Sequence, residues 1–302
     1  MFFHIVHQLT YTYDRPVFLE PMTLRLTPRQ DPTQRLLHHR LTLLPEPAGL
    51  SHVVEPDGTD AAVGWFERTH PDLTIQMEAI VQTLRDNPFD WIVTDPGAQS
   101  LPASYSESEA RSLSPCLGGN GEHGEVHAWA RERAQQVEGH TAAFLIDLAD
   151  HIHRAFLHIG RPDGDPLSPS ETLKDQRGAC RDTAMLFVEA CRGLGLASRF
   201  VSGYSMHHPP EVSEHELHAW AEVYLPGAGW RGYDPSLGLA VADGHVALAA
   251  TPDHRLAAPV SGRFRGTGAV SEMRYDLTVR AAETLGELAV ELPSPATRPL
   301  GS

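Results

Sequence analysis

Apolar and polar residues alternate in four stretches within the first ninety residues of the chain. The clearest stretch, residues 73–81, has apolar side chains at its odd-numbered positions and mostly polar ones between them. Similar alternation begins at Phe3, at Met22 and at Leu37, and turn residues separate the stretches. A period of two is typical of strands with one buried face. Residues 1–95 are therefore predicted to form a small all-β N-terminal domain, an antiparallel sheet or sandwich.

Residues 96–125 lose this alternation and are rich in Ser, Pro and Gly, which indicates a linker. Beyond it, apolar residues recur at helical spacing over residues 123–138 and 141–159. A further helix is predicted over Cys180–Arg192, where the residues are largely apolar and glycines follow. This helix is expected to be buried.

Three strands are predicted after that helix: Ser198–Tyr204, Leu217–Leu225 and Trp230–Asp234. Residues 126–285 are thus predicted to form an α+β core, in which the buried helix packs on an antiparallel sheet. The last residues, 286–302, are predicted to be a largely disordered tail.

Charge and cysteine content narrow the classes of protein and partner. The 302 residues include 24 basic and 39 acidic side chains, a formal net charge of −15. Such a chain is not expected to bind nucleic acid or an anionic membrane surface, and neither a signal peptide nor a membrane span is predicted. The three cysteines cannot all pair and lack CxxC spacing. Reduced thiols and a cytoplasmic location are therefore expected.

A candidate nucleophile lies at the predicted start of the buried helix. Gly178, two residues before Cys180, permits a tight turn and a close approach of substrate. A cysteine at a helix N-terminus feels the positive end of the helix dipole, which favours the thiolate. The usual fate of a cysteine is a small buried side chain, so this segment alone leaves both interpretations open.

The predicted strand Leu217–Leu225 carries a candidate general base. Its odd-numbered residues are apolar and are expected to face the core, so His218, Trp220 and Glu222 share the other face. A strand that projects His218 and Trp220 into one cleft can supply a base and an aromatic wall. A structural histidine is the ordinary alternative, since the chain has 18 histidines.

A candidate acidic partner follows in the next predicted strand. A turn at Pro226–Gly229 separates His218 from Asp234, and an antiparallel return brings Asp234 beside the histidine. There the carboxylate could accept a hydrogen bond from Nδ1 and stabilise the imidazolium. Taken alone, Asp234-Pro235-Ser236 is only a turn signal.

In this order the segments resemble the core of the bacterial transglutaminase-like family, a branch of the papain-like thiol enzymes. That family has G-x-C-x-D, then R-x-V-S-G-Y, H-A-W-x-E-V-Y and W-x-x-x-D-P. The matching residues here are Gly178, Cys180 and Asp182; Arg199 and Val201 to Tyr204; His218 to Tyr224; and Trp230, Asp234 and Pro235. The first ninety residues also resemble the β-rich region that often precedes this core.

The resemblance implies a papain-like α+β fold and a triad of Cys180, His218 and Asp234. It implies attack of the thiolate on an amide or peptide carbonyl, protonation of the leaving amine by the histidine, and a thioester intermediate. The substrate is then a peptide, a protein or a small amide. Neither a cofactor nor a metal is predicted.

The oxyanion is expected to be held by the backbone N–H of Cys180 and a second donor. Gln176 is a candidate because papain-like enzymes use a glutamine upstream of the cysteine, although its spacing of four residues departs from their pattern. Trp220 and Tyr204 are further candidates for the cleft. Trp220 is expected to be a wall or a core residue rather than an oxyanion donor.

Hydrolysis by a protease or amidase is predicted ahead of transfer to an amine. No D-x-[DN]-x-[DN]-G calcium loop occurs in the sequence, and a cytoplasmic crosslinker would endanger its host. There are two alternatives. One is a transglutaminase, and the other is a binding or scaffolding protein that keeps the fold without the chemistry. His207, His208 and His215 lack HExxH or CxxC spacing and are predicted to lie in a solvated loop over the cleft.

Overall fold

The computed structural model describes residues 1–118, 123–161, 164–207 and 217–288. Its N-terminal region contains strands only, as the period-two pattern predicts. Their bounds are β1 Phe2–Leu19, β2 Met22–Leu24, β3 Gln34–Leu44, β4 Gly49–Val54, β5 Asp60–Trp65 and β6 Thr69–Thr83.

The described residues that follow form five α-helices: α1 Glu107–Leu113, α2 Gly124–Gln136, α3 Thr141–Ala155, α4 Pro169–Asp175 and α5 Cys180–Arg192. The later strands are β7 Leu157–His158, β8 Arg177–Gly178, β9 Ser198–Ser205, β10 His218–Leu225, β11 Gly229–Asp234, β12 Leu239–Ala240, β13 His245–Thr251, β14 Val260–Ser261, β15 Phe264–Arg265 and β16 Ser271–Ala282. Short 3-10 helices lie at Pro96–Ala98, Ser114–Cys116, His254–Ala257 and Leu285–Leu288. Within the described ranges, no helix has the length and apolar character needed to cross a membrane.

The core domain is built on helix α5. This helix packs beside an antiparallel sheet of strand order β12-β11-β10-β9-β13. Its residues Leu186, Phe187 and Val188 are fully buried, in a cluster with residues of α2, α3, β10 and β11. A largely apolar helix needs this cover on both sides, so the predicted buried helix on an antiparallel sheet is confirmed.

The C-terminal strands join the N-terminal sheets. Along its whole length β16 pairs antiparallel with β1, while β15 also pairs with β1 and β14 with β2. Residues 260–282 therefore belong to the N-terminal sheets, whereas the prediction placed them in the core of residues 126–285. An alternating pattern identifies a strand, but it does not identify the strand with which it pairs. Leu285–Leu288 is helical, and the rest of the predicted tail, 289–302, lies outside the described residues.

In the segment predicted as a linker, residues 96–125, the described part (96–118 and 123–125) packs on the core. Leu113 and Cys116 are buried, and the Tyr105 hydroxyl donates to the Tyr224 carbonyl over 2.9 Å. These anchors are single side chains spaced irregularly along the segment. Because they produce no period, the sequence pattern did not indicate them.

The two regions are joined by a buried amide. The Gln34 side chain of β3 accepts the Ala247 N–H of β13 over 2.8 Å and donates to the Ala247 carbonyl over 2.9 Å. The same amide nitrogen donates to the Arg29 carbonyl over 2.8 Å. Around it, Tyr204 and Val246 of the core pack into the apolar cluster of the N-terminal sheets.

A partly buried ion network supports the same interface. Glu222 of β10 accepts hydrogen bonds from Arg199 over 2.6 and 2.8 Å and from Arg29 of the N-terminal region over 3.2 Å. Burial works to raise the pKa of Glu222, but the two guanidinium groups lower it to about 2. The carboxylate is therefore ionised at neutral pH, and it holds Arg29 against the core.

Replacing Gln34 by alanine is expected to destabilise the chain by on the order of 2–3 kcal/mol, because the Ala247 N–H loses its partner in a buried position. Urea unfolding measures the difference. The matched control is Gln135→Ala, at an exposed position of α2, which should change the unfolding free energy by less than about 0.5 kcal/mol. Equal losses in both variants would contradict the role of this amide.

Candidate active site

Cys180 is the first residue of α5 and follows the extended residue Ala179. Its thiol therefore lies at the positive end of the helix dipole, as predicted. The side chain is partly exposed in a cleft and contacts a small apolar cluster that includes Ala184 and Phe200. A partly exposed cysteine on a rigid buried helix can meet a substrate without moving.

The turn before Cys180 is held by the buried carboxylate of Asp182. That carboxylate accepts the N–H groups of Ala179 and Leu167, each over 2.8 Å, and the Arg161 guanidinium over 2.5 Å. A Cβ added to Gly178 would lie 2.7 Å from the Cβ of Asp182. Glycine is thus needed here for the approach of Asp182, in addition to any approach of substrate.

The hairpin of β10 and β11 brings His218 and Asp234 together. Nε2 of His218 donates to Oδ2 of Asp234 over 2.6 Å, and both side chains are buried. The pairing follows the predicted turn, but the nitrogen differs from the predicted Nδ1. Cys180 lines the same cleft as His218. With Nε2 occupied by Asp234, the nitrogen left for the thiol is Nδ1.

The charges of this pair are strongly coupled. Burial alone would lower the pKa of His218, but the charge and hydrogen bond of Asp234, together with Cys180, raise it to about 10. Burial works to raise the pKa of Asp234, but His218 and the neighbouring His245 hold it well below its usual range. At neutral pH the arrangement is therefore an imidazolium beside a carboxylate.

The other oxygen of Asp234 is fully engaged by its own turn. Oδ1 accepts the hydroxyl of Ser236 over 2.6 Å, the Ser236 N–H over 2.9 Å and the Leu237 N–H over 3.2 Å. The Asp-Pro-Ser turn signal thus describes the local geometry correctly. Its hydrogen bonds also fix the direction of Oδ2 toward the histidine.

A second histidine, missed by the sequence analysis, shares the same carboxylate. His245 at the start of β13 is buried, and its Nε2 donates to Oδ2 of Asp234 over 3.0 Å. Burial lowers the pKa of His245, so the ring is neutral at neutral pH. Its Nδ1 is buried without a hydrogen-bond partner among the described residues.

His218, Asp234 and His245 each present one potential metal-ligating atom, all within 4.8 Å of one another. Two imidazoles and a carboxylate are a donor set that zinc accepts. The same atoms are, however, already joined by hydrogen bonds. Of the loop histidines discounted in the sequence, His208 and His215 lie outside the described residues.

Gln176 lies elsewhere than predicted. It ends α4 in the left-handed conformation with a φ of 47°, and its side chain is exposed. Its carbonyl accepts the Leu157 N–H over 2.8 Å, across the short pairing of β7 and β8. Four residues before Cys180 the chain is still in this turn, so the amide does not line the cleft.

Trp220 and Tyr204 are core residues behind the cleft. The Trp220 indole is 2% exposed, stacks on His218 with ring centroids 6.2 Å apart and meets His245 edge-on at 5.1 Å. Tyr204 is fully buried, and its hydroxyl bonds Nδ1 of His7 over 3.0 Å. Trp220 therefore orients the two histidines, while Tyr204 joins the two regions.

The remaining cysteines differ from Cys180 in their surroundings. Cys116 and Cys191 are both buried, and burial raises the pKa of both thiols, that of Cys191 well above its usual value. Both are thus poor nucleophiles near neutral pH. All three thiols are free, and the cytoplasmic location stays a prediction.

Comparisons with known proteins agree with this architecture. Residues 3–82 match the family model of the bacterial transglutaminase-like N-terminal region, and residues 131–235 match that of the transglutaminase-like superfamily. An uncharacterized protein of Mycobacterium leprae is 24% identical over 288 residues, which covers 88% of this chain and 94% of that protein. One from Mycobacterium tuberculosis is 27% identical over 283 residues, covering 86% of each.

The crystal structure of a proposed cysteine protease from Cytophaga hutchinsonii is also similar, with a TM-score of 0.69 and 20% identity. The match covers 94% of this chain and 92% of that one. At this identity the likeness shows the fold. The predicted transglutaminase-like fold with its preceding β-rich region is confirmed.

The unfolding free energy is expected to fall as the pH rises from about 7 to 10. His218 has a pKa of about 10 in the folded chain against roughly 6.5 when unfolded, so the folded state binds the extra proton in this window. Below about pH 6.5 both states are protonated and the contribution is complete. In His218→Asn the slope should be shallower by up to about 1.4 kcal/mol per pH unit, measured by urea unfolding.

The control for this slope is His52→Asn, at an exposed position of β4. It should keep the slope of the unchanged protein. A His218→Asn variant with the same slope as the His52→Asn control would contradict the raised pKa.

Replacing His245 by leucine is expected to slow alkylation of Cys180 by iodoacetamide about tenfold, because Asp234 loses a charge-assisted hydrogen bond that orients it. His245→Gln should restore most of the rate, since its amide N–H can occupy the place of Nε2. Site-resolved mass spectrometry measures both rates. If the alkylation rate is unchanged in both variants, His245 acts only as a packed side chain. If the rate falls equally in both, the shape of the imidazole ring matters and its hydrogen bond does not.

Proposed function

The chain joins a bacterial transglutaminase-like N-terminal region to a transglutaminase-like core, and we propose that it is a thiol enzyme that hydrolyses an amide or peptide bond. The observation that supports this most is that Cys180 and His218 line one cleft and that His218 is hydrogen-bonded to the buried Asp234. It combines a nucleophile, a proton carrier and an orienting carboxylate in one cleft.

In the first step the Cys180 thiolate attacks the carbonyl carbon and a bond forms between Sγ and that carbon. The carbon–nitrogen bond then breaks, and its electron pair leaves with the amine nitrogen. The imidazolium of His218 gives its Nδ1 proton to this nitrogen, so the amine departs neutral and a thioester remains. The raised pKa of His218 keeps this proton available at neutral pH.

In the second step water takes the place of the amine. Neutral His218 removes a proton from the water as its oxygen bonds to the thioester carbon. The Sγ–carbon bond breaks, and its electron pair restores the thiolate beside the imidazolium. A carboxylic acid is released, and no cofactor or redox partner is needed for the balance.

The developing oxyanion is assigned to the N-terminus of α5. The Cys180 N–H is the first of this helix, and the first N–H groups of a helix have no helical acceptors. Further along, the N–H groups of Asp182 and Thr183 donate to the Ala179 carbonyl. Together with the helix dipole, the Cys180 N–H favours a negative oxygen in front of the thiol. The exposed Gln176 has no part in this arrangement.

Transfer of the acyl group to an amine, as in a transglutaminase, uses the same thioester and differs only in the second step. A binding or scaffolding protein would keep the fold without this chemistry. The proposed substrate is a peptide, a protein or a small amide, met in the cytoplasm.

Cys180 should react with iodoacetamide at pH 7 at least about tenfold faster than Cys116 or Cys191, because only its thiol is paired with an imidazolium and partly exposed. The two buried thiols serve as internal controls in the same digest. His218→Asn should remove most of the difference. Equal rates at all three cysteines would leave the chain as a binding protein.

Hydrolysis and transfer are separated by trapping the thioester. Peptides and amides that acylate Cys180 are identified by mass spectrometry, and each is then incubated with and without glycine methyl ester. Release of the free acid in both cases supports hydrolysis. Quantitative formation of the amine adduct would assign the chain to acyl transfer instead.

A further inference from the structure

One face of β1 continues from the interface between the two regions into the cleft. Phe3 and Ile5 are fully buried on this face, in a cluster with Tyr204, Val246 and Leu248 of the core. Two and four residues beyond Ile5, on the same face, the side chains of His7 and Leu9 line the cleft that contains Cys180.

The neighbouring strand β16 extends this face. Leu9 lies opposite Tyr275 and Tyr11 opposite Met273 in the antiparallel pairing. Tyr275 and Met273 also line the cleft, and Met273 is 37% exposed. The four side chains His7, Leu9, Met273 and Tyr275, here called the β wall, thus belong to the N-terminal sheet and line the cleft that also contains Cys180.

The β wall offers a substrate little charge. Burial lowers the pKa of His7 to about 4, and its Nδ1 is taken by the Tyr204 hydroxyl. The ring is therefore neutral at neutral pH, and the other three side chains carry no charge. The charged side chains that line the cleft, Asp165, Arg181, Arg255 and the protonated His218, come from the core.

On the core side, apolar residues continue from the β wall toward the nucleophile. Leu217 lies next to His218 and packs against the apolar cluster of the N-terminal sheets. Phe200 and Ala257 belong to the small cluster that Cys180 contacts. An apolar surface therefore extends from the reacting thiol to the β wall.

We propose that the β wall and these core residues form a subsite for an apolar side chain or acyl group adjacent to the amide that Cys180 attacks. The proposal rests on the proposed function, since it assigns the substrate class of that same site. The occupant is part of the substrate because the apolar surface is continuous with the nucleophile and neutral along the β wall. A charged group placed there would lose water without gaining a partner.

The N-terminal region thereby contributes to the surface that selects the substrate. Met273 is the residue best suited to a test, because it is the most exposed member of the β wall and can be changed without opening the core. Val270 is the matched control. It precedes the same strand, is 66% exposed and lies outside the cleft lining.

The probes are chloroacetamides that differ only in the substituent on nitrogen: isobutyl, carboxyethyl or aminoethyl. Each alkylates a thiol, and its rate at Cys180 is followed by mass spectrometry beside that of iodoacetamide. The isobutyl probe should react about tenfold faster than either charged probe, as expected for burying a small apolar group. Equal rates, or a faster charged probe, would overturn the proposal.

Variants that introduce opposite charges at Met273 distinguish selection among the probes from structural damage. Met273→Lys should speed the carboxyethyl probe relative to the aminoethyl probe by about tenfold, and Met273→Glu should do the opposite. Val270→Lys and Val270→Glu should leave the ratio within about twofold. The absence of opposite shifts in the two Met273 variants would overturn the assignment of this wall.

The rate with iodoacetamide distinguishes this proposal from the proposed function. If Cys180 reacts no faster than Cys116, both the thiol-enzyme assignment and the subsite are contradicted. If Cys180 reacts fast with iodoacetamide but shows no preference among the substituted probes, only the subsite is contradicted.

Discussion

The buried carboxylate of Asp234 has to be satisfied entirely by the protein, because water does not reach it. One oxygen is held by the turn at Ser236 and Leu237, and the other accepts His218 and His245. This requirement fixes the end of β11 against the start of β10 and draws β13 to the same point. The helix that carries Cys180 packs on these strands, so the geometry of the thiol depends on a charge it does not touch.

The sequence predicted the local parts of this arrangement well. The period of two in β1 and β6, the apolar helix after Cys180 and the turn before Asp234 are each set by neighbouring residues. The pairing of His218 with Asp234 follows from one hairpin, which a short turn specifies. For the same reason the resemblance to the transglutaminase-like family was visible in segments of a few residues each.

What the sequence did not indicate depends on contacts between distant segments. His245 meets Asp234 because β13 pairs with β9 at the far side of the sheet, and nothing near His245 marks this. The same holds for β16, whose partner is β1, and for the amide of Gln34. The bond from Asp234 to Nε2 was missed because a one-dimensional pattern cannot orient an imidazole ring.

The pairing of β1 with β16 also determines the order in which parts of the protein can fold during synthesis. These strands are separated by more than two hundred and fifty residues of chain, and a ribosome adds roughly 5–20 residues per second. The core can therefore be complete on the order of seconds before the last strand is available. In that interval the edge of β1 is open to other chains, and the cleft lacks the part of its wall that β16 supplies. Under the proposed function, a nascent molecule would carry the candidate nucleophile Cys180 in a cleft that does not yet select among substrates.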